Sequence, residues 1–165
     1  MIRLIKPYIS FEEIELELKE ILDSGMLTSG YYSKQLPKEI SAYTGAKFSF
    51  NTTSATTALA MTLELLNVGV DDEVIVSDFS FPATANVVEQ RGAIPVFADV
   101  DRDSYNMTAE HLKEKITSRT KAVIFVCALG NPTGTHDIYE ICNKLNIPLI
   151  VDAACALGSK ERGVN

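Results

Sequence analysis

The feature of this sequence that most constrains its fold is a regular alternation of short apolar runs with helical patterns through most of its length. The runs are rich in Val, Ile and Phe, and apolar residues recur at helical spacing between them. Apolar strands that are each separated by a helix are typical of a mainly parallel sheet covered on both faces, a three-layer α/β fold. We predict strands over 46–50, 73–77, 94–100, 121–129 and 149–151, and helices over 56–66, 84–90, 108–116 and 137–145.

The residues before this alternation predict two further helices. Apolar residues at helical spacing predict the first over 10–22, with Ser10 and Glu13 forming a capping box at its start. A loop rich in Gly, Ser and Tyr follows over 25–33. The second helix is predicted to begin near Pro37, because proline suits the first turn of a helix, and to end before the next glycine.

Composition and charge narrow the class of protein. The chain has 165 residues, enough for one domain with a sizeable core. Its net charge of −7 weighs against binding to nucleic acid, and it has no stretch long and apolar enough to predict a membrane span. The three cysteines are far apart, which fits a reducing cytoplasm better than a disulfide framework. His111 and His136 have no second ligand at metal spacing, so no metal site is predicted.

Two segments with polar side chains are predicted to lie at one edge of the sheet. Asp152 closes the apolar run 148–151, and the carboxyl ends of parallel strands are where open α/β sheets bind their ligands. The segment 54–57, Ser-Ala-Thr-Thr, begins a helix whose first N–H groups and positive dipole end favour a phosphate. An ordinary helix cap is the alternative interpretation of this segment. No glycine-rich dinucleotide or Walker pattern is present, so a phosphorylated ligand of another kind is predicted.

Two further segments at the same edge have the residues that a flat ring would need. The loop 79–82, Phe-Ser-Phe-Pro, offers a ring for stacking, although both phenylalanines could instead anchor the loop in the core. The segment 131–134, Asn-Pro-Thr-Gly, is an ordinary turn or a turn that places the Asn131 amide over a phenolic oxygen. An aspartate such as Asp152 beside a pyridine nitrogen keeps that nitrogen protonated, as pyridoxal phosphate chemistry requires. The four segments together predict a site for an aromatic, phosphorylated, nitrogen-containing ring.

The order and spacing of short motifs along the whole chain resemble one family. The motifs are IKPYI (5–9), SGMLTSG (24–30), SATTAL (54–59), DEVIV (72–76), FSFPATAN (79–86), PVFADVD (95–101), YN (105–106), TSRTKA (117–122) and DAA (152–154). They are similar to those of DegT/DnrJ-type sugar aminotransferases, which belong to the fold-type I pyridoxal phosphate enzymes. The resemblance implies that residues 1–165 are the N-terminal part of the cofactor-binding large domain, so that its sheet is incomplete here.

The resemblance also implies roles for particular residues. Ala55 and Thr56 would hold the phosphate of pyridoxal 5'-phosphate (PLP), Phe81 would stack on the pyridine ring, and Asp152 would pair with its nitrogen. The family has a glutamine where this chain has Cys155, and that glutamine contacts the phenolic oxygen of the cofactor. We expect Asn131 to supply this contact instead, and Cys155 still to lie in the cofactor site.

The activity implied by the resemblance is transfer of an amino group from an amino acid, glutamate, to a nucleotide-linked keto sugar, by a homodimer in the cytoplasm. No catalytic residue is expected within the chain, because the family's Schiff-base lysine would lie past Asn165, together with the small C-terminal domain. Lys160 follows Asp152 too closely and has no matching motif. A pyridoxamine phosphate-dependent sugar dehydratase of the same family is one alternative. A non-catalytic binding or scaffold domain is the other, if 165 residues is the natural length.

Overall fold

The computed structural model describes residues 8–163, and the chain divides into two compact units, residues 1–51 and 52–165. The first part of the motif at 5–9 lies outside the described residues. The described part of the first unit holds the helices α1 (Phe11–Ser24) and α2 (Tyr31–Thr44). The described part of the second unit holds α3 (Ala55–Leu65), β1 (Glu73–Ser77), α4 (Ala83–Gln90), β2 (Ile94–Ala98), α5 (Ala109–Lys115), β3 (Thr120–Val126), α6 (Thr135–Leu145) and β4 (Leu149–Asp152).

The start of α1 differs from its prediction in one detail. The helix begins one residue after Ser10 and ends at Ser24, and Gly25, with a φ of 67°, closes it as expected for a glycine C-cap. The predicted capping box is wrong, because the Ser10 hydroxyl donates to Glu12 Oε2 at 2.7 Å and makes no cap bond to the backbone.

The prediction that the second helix begins near Pro37 is also wrong. α2 begins at Tyr31, and Pro37 lies inside it. The start is fixed by Ser33, whose hydroxyl accepts the Gly30 N–H at 2.9 Å. Pro37 has no N–H to donate to the Ser33 carbonyl one turn earlier. The Asn51 side-chain amide donates to that carbonyl instead, which satisfies the acceptor that the proline leaves open.

No strand forms over 46–50 in the part of the chain that the structure describes, so this prediction is wrong. A strand requires a neighbour to pair with its N–H and C=O groups. The four described strands pair only with one another. Phe48 and Phe50 in this segment are correspondingly exposed.

The second unit contains a four-stranded sheet with all strands parallel, in the order β2-β1-β3-β4. Ile75 in β1 lies opposite Val96 on one side and Val123 on the other. The last pair of β3 and β4 is Val126 with Asp152. The strands therefore end side by side, and we call this end of the sheet the carboxyl edge.

Helices cover both faces of the sheet, as predicted. The side chains of a strand alternate between faces, so successive residues of β1 and β3 belong to different cores. One core joins the sheet to α3 and α4 and includes Leu63, Val74, Val76, Val88 and Ile124. The other joins it to α5 and α6 and includes Ile75, Leu112, Val123, Phe125 and Ile138. The predicted α/β fold class with a mainly parallel sheet is thus confirmed.

Two strands, β2 and β3, end earlier than predicted. β2 ends at Ala98, and Val100 makes an isolated bridge with Met107. β3 ends at Val126, and the chain then turns through a short 3-10 helix (Ala128–Gly130).

Among residues 8–163, each helix is too short or too polar to serve as a bilayer span.

Candidate active site

The connection between α3 and β1 predicts that the N-terminus of α3 lies at the carboxyl edge of the sheet. The end of α3 at Leu65 connects through residues 66–72 to the start of β1 at Glu73, and Leu63 of the helix packs in the same core as Val74, so we expect the helix to run antiparallel to the strand. Eleven helical residues span about 16 Å and five strand residues about 17 Å. The two elements match in length, which brings the first turn of α3 to the end of the strands.

The first turn of α3 has open hydrogen-bond donors. Ser54 is the N-cap, and its Oγ accepts the Thr57 N–H at 3.1 Å. The N–H groups of Ala55 and Thr56 donate to no acceptor in the described part of the chain. Both residues are exposed, and the Thr57 hydroxyl lies 3.1 Å from that of Thr53. The segment is therefore an ordinary cap that also presents two N–H groups and several hydroxyls to an anion.

The two phenylalanines after β1 have different environments. Phe79 packs against Tyr105 with ring centroids 5.1 Å apart. Phe81 is 76% exposed, so it does not anchor the loop in the core. The Ser80 hydroxyl bonds that of Thr84 at 2.6 Å and fixes the loop against the start of α4. Phe81 is the ring that remains available for stacking.

Asp152 ends β4 and is half-buried at the carboxyl edge. Its carbonyl oxygen accepts the Cys127 N–H at 3.0 Å, which continues the pairing of β3 and β4 by one residue. Its Oδ1 accepts the Ala154 N–H at 3.0 Å and closes the turn after the strand. Oδ2 has no hydrogen-bond partner among the described residues. One carboxylate oxygen is thus fixed by the fold and the other is open to a ligand.

Asn131 belongs to the turn that follows β3, and its side chain bonds within the protein. Nδ2 donates to the Ser104 carbonyl at 3.2 Å, and Oδ1 accepts the Thr133 N–H at 3.1 Å. Nδ2 has a second hydrogen, so one donor remains for a ligand. The sequence identified the residue but gave no indication that its amide also holds the turn together.

Cys155 lies in the turn after β4, and the fold brings it against the turn that carries Asn131. A Cβ placed on Gly130 would lie 2.9 Å from the Cys155 carbonyl oxygen, so the two backbones are in close contact. The thiol of Cys155 is exposed, whereas those of Cys127 and Cys142 are buried. Burial raises the pKa of the Cys127 thiol, and it raises that of Cys142 to about 11.

Asn106 is a residue of this region to which the sequence assigned no role. It is buried, and its amide joins the turn before α5 to the turn after β3 through three hydrogen bonds to backbone groups. The only sequence signal was its place in the motif at 105–106. No local pattern reveals a side chain whose partners lie more than twenty residues away.

The segment after Cys155 also covers the turn after β3. The Ser159 hydroxyl donates to the Gly130 carbonyl at 2.7 Å. The Glu161 carboxylate accepts the N–H groups of Gly134 and His136 at 2.8 and 2.7 Å, so it caps α6.

In the described part of the chain, no three His, Cys, Asp or Glu side chains come together as metal ligands.

The carboxyl edge therefore combines an open anion-binding helix start, an exposed ring, an open carboxylate oxygen and a side-chain amide. These groups match in chemistry the phosphate, the flat ring, the cationic ring nitrogen and the phenolic oxygen of PLP. Ala55, Thr56, Phe81, Asn131, Asp152 and Cys155 all belong to the second unit. The strand register and the helix direction assign their segments to this one edge.

Comparison with known proteins identifies the family. The model of the DegT/DnrJ/EryC1/StrS aminotransferase family matches residues 9–165, so the chain belongs to this family. This confirms the resemblance. The family is PLP-dependent.

Three similar proteins illustrate the match. The uncharacterized protein MJ1066 of Methanocaldococcus jannaschii is 37% identical over 158 residues, which are 96% of this chain and 41% of that protein. The structure of Spr1654 from Streptococcus pneumoniae in its PMP-form has a TM-score of 0.89 at 32% identity, over 98% of this chain and 44% of that one. A GDP-4-keto-6-deoxymannose-3-dehydratase with a trapped PLP-glutamate geminal diamine has a TM-score of 0.89 at 28% identity, over 99% and 44%. This chain spans less than half the length of these relatives.

Proposed function

We propose that the carboxyl edge of the second unit binds PLP, in an enzyme that transfers an amino group from glutamate to the keto group of a nucleotide-linked sugar. Residues 1–165 would form the N-terminal part of the cofactor-binding large domain. One observation carries the proposal: in a chain of a PLP-dependent family, the open start of α3 and the open oxygen of Asp152 belong to the same edge of a parallel sheet.

The phosphate is assigned to the start of α3. The N–H groups of Ala55 and Thr56 point along the helix axis, where the dipole adds a partial positive charge. The Thr56 hydroxyl provides a further donor. The net charge of the chain is −7, so this local donor set and not a general positive field must hold the anion.

Phe81 and Asp152 are assigned to the ring. The exposed face of Phe81 would stack on the pyridine and exclude water from it. The open Oδ2 of Asp152 would accept a hydrogen bond from the N–H of the protonated ring, and the negative charge of Asp152 would keep that nitrogen protonated. When bound, PLP supplies an electron sink and a carrier for the amino group. The protein's part is to fix the ring and hold this proton.

The phenolic oxygen is assigned to the second hydrogen of Asn131 Nδ2. Cys155 lies beside that turn, and its thiol is a weaker donor than the glutamine amide that the family has at this position. We therefore assign the directed hydrogen bond to Asn131, and to Cys155 a packing contact with the cofactor.

We also propose that the protein acts as a homodimer in the cytoplasm. We assign the dimer contact to the first unit, where an open cavity of about 380 Å³ lies between the end of α1 and the start of α2. Tyr31 and Tyr32 line it with their rings packed edge to face at 5.2 Å, and the Tyr32 hydroxyl donates to Glu20 at 2.7 Å. Symmetric dimers are the commonest soluble assemblies. Sedimentation of the whole protein at micromolar concentration should show a dimer, and a monomer alone would contradict this.

The cofactor assignment is tested by titrating the chain with PLP and comparing two matched variants. Asp152→Asn removes the charge that pairs with the ring nitrogen and should weaken PLP binding by about tenfold. Asp71→Asn is the control, because Asp71 is an exposed turn residue near the opposite end of β1. Its φ of 67° is a conformation that asparagine adopts readily, so the substitution should not strain the backbone. Equal affinities for the Asp152→Asn variant and wild type would refute the assignment.

The reaction is tested with the whole protein, PLP, glutamate and nucleotide-linked keto sugars. Transfer should yield 2-oxoglutarate and an amino sugar in equal amounts. The similarity to the dehydratase makes a deoxy sugar, formed with loss of water, the second candidate product. Cofactor binding without either product would favour a non-catalytic binding or scaffold domain.

A further inference from the structure

We propose that Asn106 is a positioning residue, which sets the conformation of the turn 128–133 and thereby the affinity for the cofactor ring. The inference rests on the proposed function, because that turn carries Asn131. Asn106 itself is buried beneath the turn and is assigned no contact with the cofactor.

The Asn106 amide uses three of its hydrogen-bonding positions on this one turn. Nδ2 donates to the carbonyl oxygens of Asn131 at 2.9 Å and Thr133 at 2.8 Å. Oδ1 accepts the Ala128 N–H at 3.0 Å. Asn106 is 1% exposed, so water cannot replace these bonds without a rearrangement. One side chain thus holds both ends of the turn.

The turn needs such support because its backbone is not regular. Leu129 has φ 53° and Gly130 has φ 84°, both in the left-handed region. Gly130 then passes close to the Cys155 carbonyl, and Asn131 bonds the Ser104 carbonyl. A shift of the turn would therefore move Asn131 relative to Asp152, whose backbone is fixed separately by the sheet.

Only an amide provides this combination of bonds at a position of this size. Asparagine has two donor hydrogens and an acceptor oxygen, whereas an ionised aspartate of similar shape has acceptors alone. Asn106→Asp would keep the bond to the Ala128 N–H and lose both bonds to the carbonyl oxygens. Asn106→Ala would lose all three. The two variants therefore separate the bond that Asn106 accepts from the two bonds that it donates.

The experiment combines amide hydrogen exchange with ligand titrations on the 165-residue chain. Both variants should speed exchange within 128–133, and the Ala128 amide should speed up mainly in Asn106→Ala. Both should weaken PLP binding by about tenfold. Binding of inorganic phosphate, followed at the Ala55 and Thr56 amides, should stay unchanged, because the start of α3 does not depend on the turn.

Val68→Ala is the control for a general loss of stability. Val68 is equally buried but lies between α3 and β1, at the opposite end of the sheet. It should alter neither exchange within 128–133 nor PLP affinity. If one of the two Asn106 variants does not fold, the other decides by the same measurements.

The outcomes separate this inference from the proposed function. Faster exchange in the turn with unchanged PLP affinity would overturn the positioning role and leave the cofactor site intact. Unchanged exchange in the turn would overturn it as well, and so would an equal loss of phosphate and PLP affinity. If the wild-type chain bound no PLP, the proposed cofactor site would fail, and the positioning role with it.

Discussion

Replacing Gly130 by alanine tests whether the turn after β3 presses against the turn after β4. Gly130 has φ 84°, which an alanine adopts only with strain. Its new Cβ would also lie 2.9 Å from the Cys155 carbonyl oxygen, a backbone atom that cannot move aside alone. The substitution therefore combines backbone strain with a steric clash.

Two other glycines of the second unit separate these contributions. Gly69 has neither a positive φ nor an atom within 4 Å of the added Cβ, so Gly69→Ala should stay within about 0.5 kcal/mol of wild type. Gly92 has φ 73°, but its Cβ would meet only the side-chain end of the exposed Val70, so Gly92→Ala should cost about 1 kcal/mol. Gly130→Ala adds the backbone clash and should cost about 2–4 kcal/mol.

Urea unfolding followed by circular dichroism measures the three free energies of unfolding. The expected order of destabilisation is Gly130→Ala, then Gly92→Ala, then Gly69→Ala. A value for Gly130→Ala equal to that for Gly92→Ala would show that the two turns are not in close contact, and that Cys155 does not lie beside the turn of Asn131.

Three further predictions concern capping and the thiols. Ser54→Ala removes the acceptor of the Thr57 N–H and should lower the free energy of unfolding by about 1 kcal/mol in the same urea assay; no loss would contradict the cap. Iodoacetamide should modify Cys155 in the folded chain and spare Cys127 and Cys142, as read by peptide mass spectrometry; modification of Cys142 before unfolding would contradict its burial. Since burial raises the pKa of Cys142 from 9.0 to about 11, the unfolded chain loses this proton first, and stability should fall as the pH rises through that interval. Cys142→Ala should reduce that fall, and an unchanged pH profile would refute the raised pKa.

Much of the second unit follows from local sequence patterns. Strands buried on both faces give unbroken apolar runs, and this is why β1 was predicted with its observed bounds, Glu73–Ser77. The cap at Ser54 and the stop after α4 are also local signals, since a hydroxyl or a glycine acts on its own helix. The carboxyl edge was predictable for the same reason, because parallel strands bring the segments that follow them to one side.

The failures concern features that depend on distant partners. Pro37 is tolerated inside α2 because Asn51 bonds the carbonyl that the proline leaves open, and no local pattern contains that bond. The apolar run at 46–50 has the composition of a strand but no strand beside it among the described residues. The role of Asn106 depends on partners beyond β3, so its motif could be noticed but not explained.

The most direct test of the cofactor site is the set of backbone amide resonances that move when PLP is added to the isotope-labelled chain, which at 18.1 kDa suits this measurement. We predict the largest changes at Ala55 and Thr56, with a second group around Asp152. Pyridoxal without its phosphate should leave the first group unmoved. Changes confined to lysines, or equal changes with both compounds at Ala55 and Thr56, would contradict the site proposed at the start of α3.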